Sequence, residues 1–113
     1  MREFAEEWID GWNSLDIDRI LSHYSEEIVF TSPRALARLP ESKGTVRGLE
    51  QLRDYWSPLP QIRPNLHFTL QTVLETVEGC TIVYKDENGL IVAETIMFDA
   101  DGKVVRGIVS HQT

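Results

Sequence analysis

The sequence predicts an α+β domain, with helices at the N-terminus laid on one face of a sheet built mainly from antiparallel hairpins. Three observations carry this. Apolar residues recur at helical spacing early in the chain, at Phe4, Trp8 and Trp12 and again at Ile17, Ile20, Leu21 and Tyr24. From Leu66 onward the period changes to two. Two turn segments, Asp86-Glu87-Asn88-Gly89 and Asp99-Ala100-Asp101-Gly102, then cut the second half into strands.

The first helix is expected from Arg2 to Asn13. Ala5 and Ile9 widen its apolar stripe, and Glu3, Glu6 and Glu7 near its start complement the helix dipole. Asn13-Ser14 ends it. Asp16 is placed to cap the second helix, because its carboxylate can accept the free N–H of Asp18 or Arg19. Tyr24 is read as the last residue of that helix's apolar face. Ile28-Val29-Phe30-Thr31 favours a strand, and Pro33, which has no N–H to donate, stops it.

Residues 34–47 carry Pro40 and Gly44 and read as an ordered loop with at most a short helical turn. A third helix opens at Gly48, buries Leu49, Leu52, Tyr55 and Trp56, and is closed by Pro58 and Pro60. A long strand follows, with Leu66, Phe68, Leu70, Thr72 and Leu74 on one face. Strands 80–85, 90–98 and 103–111 complete the order α-α-β-α-β-β-β-β.

A chain of 113 residues forms one domain and can bury one core. Eleven basic residues against 18 acidic give a net charge of −7, which repels phosphate backbones and argues against nucleic-acid binding. No apolar run approaches the roughly 20 residues of a membrane span. The charged start, Met1 to Trp12, lacks the apolar stretch of a secretory signal, so cytoplasmic residence is expected. Cys80 is the one cysteine, with no intrachain partner for a disulfide, and reads as a buried strand residue. His23, His67 and His111 lack metal-ligand spacing, and His23 and His67 read as surface residues. No metal and no cofactor is expected.

Trp8 to Pro33 is the most informative stretch. Helices bearing Trp8, Trp12 and Tyr24 feed a strand whose end faces them, which describes a hollow walled by aromatic rings. Buried Tyr and Trp carry a polar tip that needs a partner, and a ligand can supply one.

These elements resemble the nuclear transport factor 2-like superfamily, and within it the SnoaL-like proteins of bacterial type. The resemblance rests on the W-N-x-x-D-x-D run from Trp12 to Asp18, the strand Glu26 to Pro33, the helix start Gly48-Leu49-Glu50-Gln51-Leu52 and the run Phe98 to Val104. All are marks of the fold rather than of an activity. The resemblance implies a cone-shaped curved sheet wrapped on the helices, a pocket inside, and often a homodimer across the outer sheet face. Members range from ketosteroid isomerase and limonene epoxide hydrolase to proteins that only bind.

The resemblance also allows a test residue by residue. The isomerase's general base, an Asp before the Pro that ends the first strand, falls on Ser32, and a lone serine hydroxyl cannot shuttle a proton at neutral pH. Its helix-one Tyr falls on Trp8, and its neutral acid on Glu94. With only the last kept in kind, the chain is not read as a ketosteroid isomerase. The epoxide hydrolase needs an inward Arg between two acids. Strand parity turns Arg106 outward, and Arg34 lies in a stretch that gives it no position.

Glu94 is the lone acid in the apolar run Leu90 to Phe98. Facing inward, it would have its pKa raised by desolvation toward the range of a general acid or base. His111 shares a strand face with Gly107 and Val109. If the Asp99–Gly102 turn pairs Glu94 with Gly107, His111 lies about 13 Å away at roughly 3.3 Å per residue. The two then touch opposite ends of one ligand. Glu94 and His111 are therefore the candidate catalytic residues, and Trp8, Trp12, Tyr24, Phe30, Ser32, Trp56 and Tyr84 the candidate lining.

Three readings stay open. The first is a pocket protein for a small, mainly apolar molecule. The second is a cofactor-independent lyase, isomerase or cyclase using Glu94, with Tyr24 or Ser32 as hydrogen-bond donor. The third is a structural dimer with a vestigial pocket. A homodimer is expected because Val83, Ala93, Thr95, Met97 and Val105 make the outer sheet face unusually apolar.

Overall fold

A computed structural model describes all 113 residues. Helix α1 (Arg2–Ser14) buries Ala5, Trp8, Ile9 and Trp12 and ends at Leu15 in the left-handed conformation. Helix α2 (Ile17–Leu21) is capped by Asp16, whose side chain accepts the Arg19 N–H. Tyr24 is not on this helix. The Ser22 hydroxyl bonds the Arg19 carbonyl, the helix stops, and the His23 carbonyl accepts the N–H of Val104. Tyr24 therefore begins strand β1 (Tyr24–Thr31), opposite Val104.

Residues 34–47 are more regular than the sequence suggests. Ser32 caps helix α3 (Pro33–Arg38), accepting the Arg34 N–H, and Pro33 sits where its missing donor is harmless. A 3-10 turn (Pro40–Ser42) leads to strand β2 (Thr45–Arg47), which pairs antiparallel with β1. Helix α4 (Leu49–Trp56) follows, and helix α5 (Leu59–Ile62) comes after it. Pro58 and Pro60 do end α4, but they also form the first turn of α5.

The sheet is completed by β3 (Thr69–Thr76), β4 (Gly79–Lys85), β5 (Ile91–Phe98) and β6 (Val104–His111), in the order β2-β1-β6-β5-β4-β3. Only the β1–β6 pair is parallel. The fold class is thus α+β with a mixed sheet, as the sequence predicts. Strand β3 starts later than Leu66, and a bulge between Leu70 and Thr72 reverses its faces. Beyond the bulge Val73 packs on the core and Leu74 points to solvent.

The β5–β6 register also differs from expectation. Phe98 pairs with Val104, Met97 with Arg106, and Val105 is the extra residue between them. Glu94 is consequently opposite Val109, and Gly107 is opposite Ile96. A shift of two residues leaves every side chain on its face. It moves His111 to the position across from Val92, next to Glu94's own partner.

Candidate functional site

The inner face of the sheet and helices α1, α3, α4 and α5 enclose a cavity of about 300 Å³. Its walls are aromatic. Trp56 is edge-on to Trp12 at 4.7 Å and to Phe30 at 5.1 Å between ring centroids, and Phe68 lies 4.3 Å from Tyr84. Adjacent strand residues alternate faces, so Tyr84, Val92, Glu94, Val109 and His111 reach the same space.

Phe68 is held by Asn13 at the end of α1. The Asn13 amide donates to the Phe68 carbonyl at 2.9 Å, and its oxygen accepts the Phe68 N–H at 2.7 Å. This clamp substitutes for a β-ladder just before β3 begins.

Glu94 stands at the base, 2% exposed. Ile82 and Val109 flank it across the sheet, and Val92 and Ile96 flank it along its strand. Its Oε1 is buried without a hydrogen-bond partner. Burial pushes the carboxyl up to about 8. An isolated carboxylate in such surroundings costs more than the proton that neutralises it, so Glu94 is mainly protonated at pH 7.

Gly107 makes the room. A Cβ there would lie 3.3 Å from Cδ1 of Phe30 and 3.6 Å from Oε1 of Glu94. The Trp12 indole N–H, in the same wall, also lacks a hydrogen bond of ordinary geometry, although it lies close enough to the Tyr24 hydroxyl to lower its pKa.

His111 lies half-buried toward the open end. Desolvation lowers its pKa, and Arg34 and Arg63 lower it further, while Asp86 opposes them. Asp86 is fixed by the β4–β5 turn, its Oδ1 accepting the N–H groups of Asn88 and Leu90. Gly89, at φ 80°, supplies the positive backbone angle of that turn.

Of the residues singled out from sequence, Trp12, Phe30, Ser32, Trp56, Tyr84, Glu94 and His111 line the cavity. Trp8 and Tyr24 do not. Both are core, and each occupies the other's polar tip, the Trp8 indole N–H donating to the Tyr24 hydroxyl at 3.1 Å. Burial first, and the neighbouring Glu94 second, raise the Tyr24 hydroxyl well above its usual pKa. The Ser32 oxygen is engaged as the α3 cap, which leaves its hydroxyl proton for the cavity.

His23 is not a free surface residue, since it packs edge-on against Phe4 and sits 3.2 Å from Glu7. His67 is exposed. Arg106 turns away from the cavity and bonds the Val29 carbonyl and the Thr31 hydroxyl.

Sequence reasoning missed the polar end of the site. Arg34, Arg38 and Arg63 all border the cavity, together with Tyr55 and Asp86. Arg38 stacks 4.3 Å from the Tyr55 ring centroid and donates to the Tyr55 carbonyl at 2.9 Å. Arg63 is paired with Glu87 at 2.8 Å. The missed signal was the Ser32-Pro33 cap, which starts a helix and so orients Arg34 and Arg38. No three His, Cys, Asp or Glu side chains converge as a metal cage.

The fold has clear relatives. A SnoaL-like protein of unknown function from Burkholderia thailandensis E264 is 34% identical, with a TM-score of 0.94 over 99% of this chain and 93% of that one. TerC, crystallised with polyporic acid, is 16% identical, with a TM-score of 0.78 over 98% of this chain and 90% of TerC. A protein with a cystatin-like fold from Methylobium petroleophilum PM1 is 18% identical, with a TM-score of 0.76 over 99% of this chain and 75% of that one. These last two likenesses concern the fold alone. No curated protein matches. The SnoaL-like domain pattern matches residues 5–109, nearly the whole length. The chain belongs to the SnoaL-like domain family.

Proposed function

We propose that the protein binds a small, mainly apolar molecule in this cavity, with the neutral Glu94 carboxyl donating a hydrogen bond to it. The observation that carries the reading is the buried Glu94 Oε1, which has no hydrogen-bond partner, in the wall of a cavity that the Trp12 indole also lines. An unpaired buried polar group costs roughly 1–3 kcal/mol, and a ligand that satisfies it recovers that cost. The volume of about 300 Å³ reaches the size of ordinary ligand sites, which counts against a vestigial pocket. TerC, a fold relative, was crystallised with a small molecule.

A second reading, cofactor-independent proton transfer of the isomerase, lyase or cyclase kind, draws on one further observation. Glu94 is raised to about 8 and His111 is lowered, so the carboxyl holds its proton while the imidazole is free base. Glu94 is then the acid and His111 the base on either side of a bound molecule. The same proposal includes pairing of two chains through the outer sheet face.

Ring compounds with one hydrogen-bond acceptor, screened by thermal shift, test the first reading. A bound compound raises Tm in proportion to the logarithm of its concentration. Trp12→Phe is expected to reduce that rise, and a shift unaffected by it contradicts the assignment. Glu94→Gln separates the two readings, because an amide still donates a hydrogen bond but transfers no proton. Binding retained with turnover abolished supports the enzyme, and unchanged turnover removes it.

A further inference from the structure

We propose that the molecule taken by this cavity carries a carboxylate, held by Arg34 and Arg38 at the open end while its ring system lies against Trp56 and Phe30. The inference rests on the pocket reading above and adds the charge of the ligand.

The polarity of the cavity is one-sided. Its base holds Glu94 among apolar strand residues. Its open end holds Arg34, Arg38, Arg63, Asp86 and His111. In a chain of net charge −7, this end gathers more cations than anions. The arginines are unequally engaged. Arg63 is charge-paired with Glu87 through two hydrogen bonds at 2.8 and 3.0 Å. Arg38 has no carboxylate partner, and its contacts are the Tyr55 ring and carbonyl. Arg34 comes no closer than 3.7 Å to Asp86, beyond hydrogen-bond length, with its side chain 41% exposed.

Asp86 does not cancel this charge. Its Oδ1 is held by two backbone N–H groups of its own turn, and only Oδ2 faces Arg34. The field is felt by its neighbours. Arg38, Arg34 and Arg63 each pull the Tyr55 hydroxyl down against the larger effect of burial. Two guanidinium groups with unused N–H donors beside an aromatic wall match a planar carboxylate on a ring. A neutral ligand of the same shape would leave those donors to water.

The test uses matched pairs on the full chain: benzoate with benzamide, and 2-naphthoate with 2-naphthamide, followed by calorimetry and tryptophan fluorescence at pH 7. Each acid is expected to bind at least tenfold more tightly than its amide. The preference is expected to shrink toward unity in Arg34→Gln and in Arg38→Gln, and on raising sodium chloride from about 0.05 to 0.5 M. Arg53→Gln, which removes an exposed ion pair to Asp18 outside the cavity, is the control and is expected to keep the full preference. Equal binding of acid and amide overturns the carboxylate proposal and leaves the pocket reading standing. Binding of neither series at millimolar concentration overturns both. An acid preference that survives both arginine substitutions overturns the assignment to Arg34 and Arg38.

Discussion

Glu94 and His111 are diagonal neighbours on the inner face of one hairpin, because Glu94 lies opposite Val109 and His111 is two residues further along β6. Diagonal pairs on a sheet are roughly 7–8 Å apart, a span that one small ring can bridge. The two groups have unlike surroundings. Glu94 is enclosed by apolar side chains, whereas His111 faces two arginines and an aspartate.

Glu94 should make stability fall as pH rises. Its pKa is about 8 in the folded chain against an ordinary value of 4.5. Folding therefore takes up a proton between those pH values. The group's contribution is whole below the ordinary value and is lost as pH rises through the folded one. At roughly 1.4 kcal/mol per pKa unit the loss amounts to a few kcal/mol. Glu94→Gln removes the titration. Urea denaturation at pH 5, 7 and 9 should show the variant gaining on the wild type at each step. A constant difference contradicts the prediction.

His111 should respond to Arg34. Arg34 lowers its pKa while Asp86 raises it. Arg34→Gln removes the first effect and keeps the second, so the imidazole should titrate at higher pH than in the wild type. Nitrogen-15 NMR of the ring measures this directly. An unchanged midpoint means the guanidinium does not act on the ring.

Gly107→Ala should disturb the site more than the fold. The added methyl meets Phe30 at 3.3 Å, a contact that a small ring movement relieves, at a cost of about 1 kcal/mol. The same methyl lies 3.6 Å from the Glu94 carboxyl and removes cavity space beside it. Ligand affinity should drop and the Glu94 pKa should rise further. A variant whose affinity matches the wild type refutes the placement of the ligand at Glu94.

The proposed pairing through the outer face rests on Ala93, Thr95 and Met97, which are half-buried, and on Ile91 and Ile108, which are 43% and 40% exposed. Thr81 and Thr95 hydrogen-bond each other at 3.0 Å on that face, leaving a row that demands little of water. Light scattering over a hundredfold range of concentration should give the dimer mass. Monomer mass throughout refutes it.

The sequence makes the scaffold readable because periodicity and turn chemistry are local. Phe4, Trp8 and Trp12 announce α1, and Asn88-Gly89 announces the β4–β5 turn. Glu94 is legible for a similar reason, as a lone acid in an apolar strand whose parity points inward. What is not legible depends on contacts far apart in the chain. Tyr24 keeps a helical spacing from Ile20 but joins β1, since pairing with Val104 outweighs that spacing. Its hydroxyl is taken by Trp8, so neither residue reaches the cavity. The Val105 bulge resets the register of His111, and no local residue type marks it. The Asn13 clamp on Phe68 spans 55 residues, and Arg34 and Arg38 meet the cavity only because Ser32 starts a helix.

The site is built around an uncharged acid at the bottom of a ring-lined space. Carbon-13 NMR of the glutamate side chains, with the Glu94 signal assigned by its loss in Glu94→Gln, follows that acid through a pH titration. A midpoint near 8 is the expected result. A midpoint at the ordinary glutamate value of 4.5 would mean that water reaches the carboxyl, and the site as described would not exist.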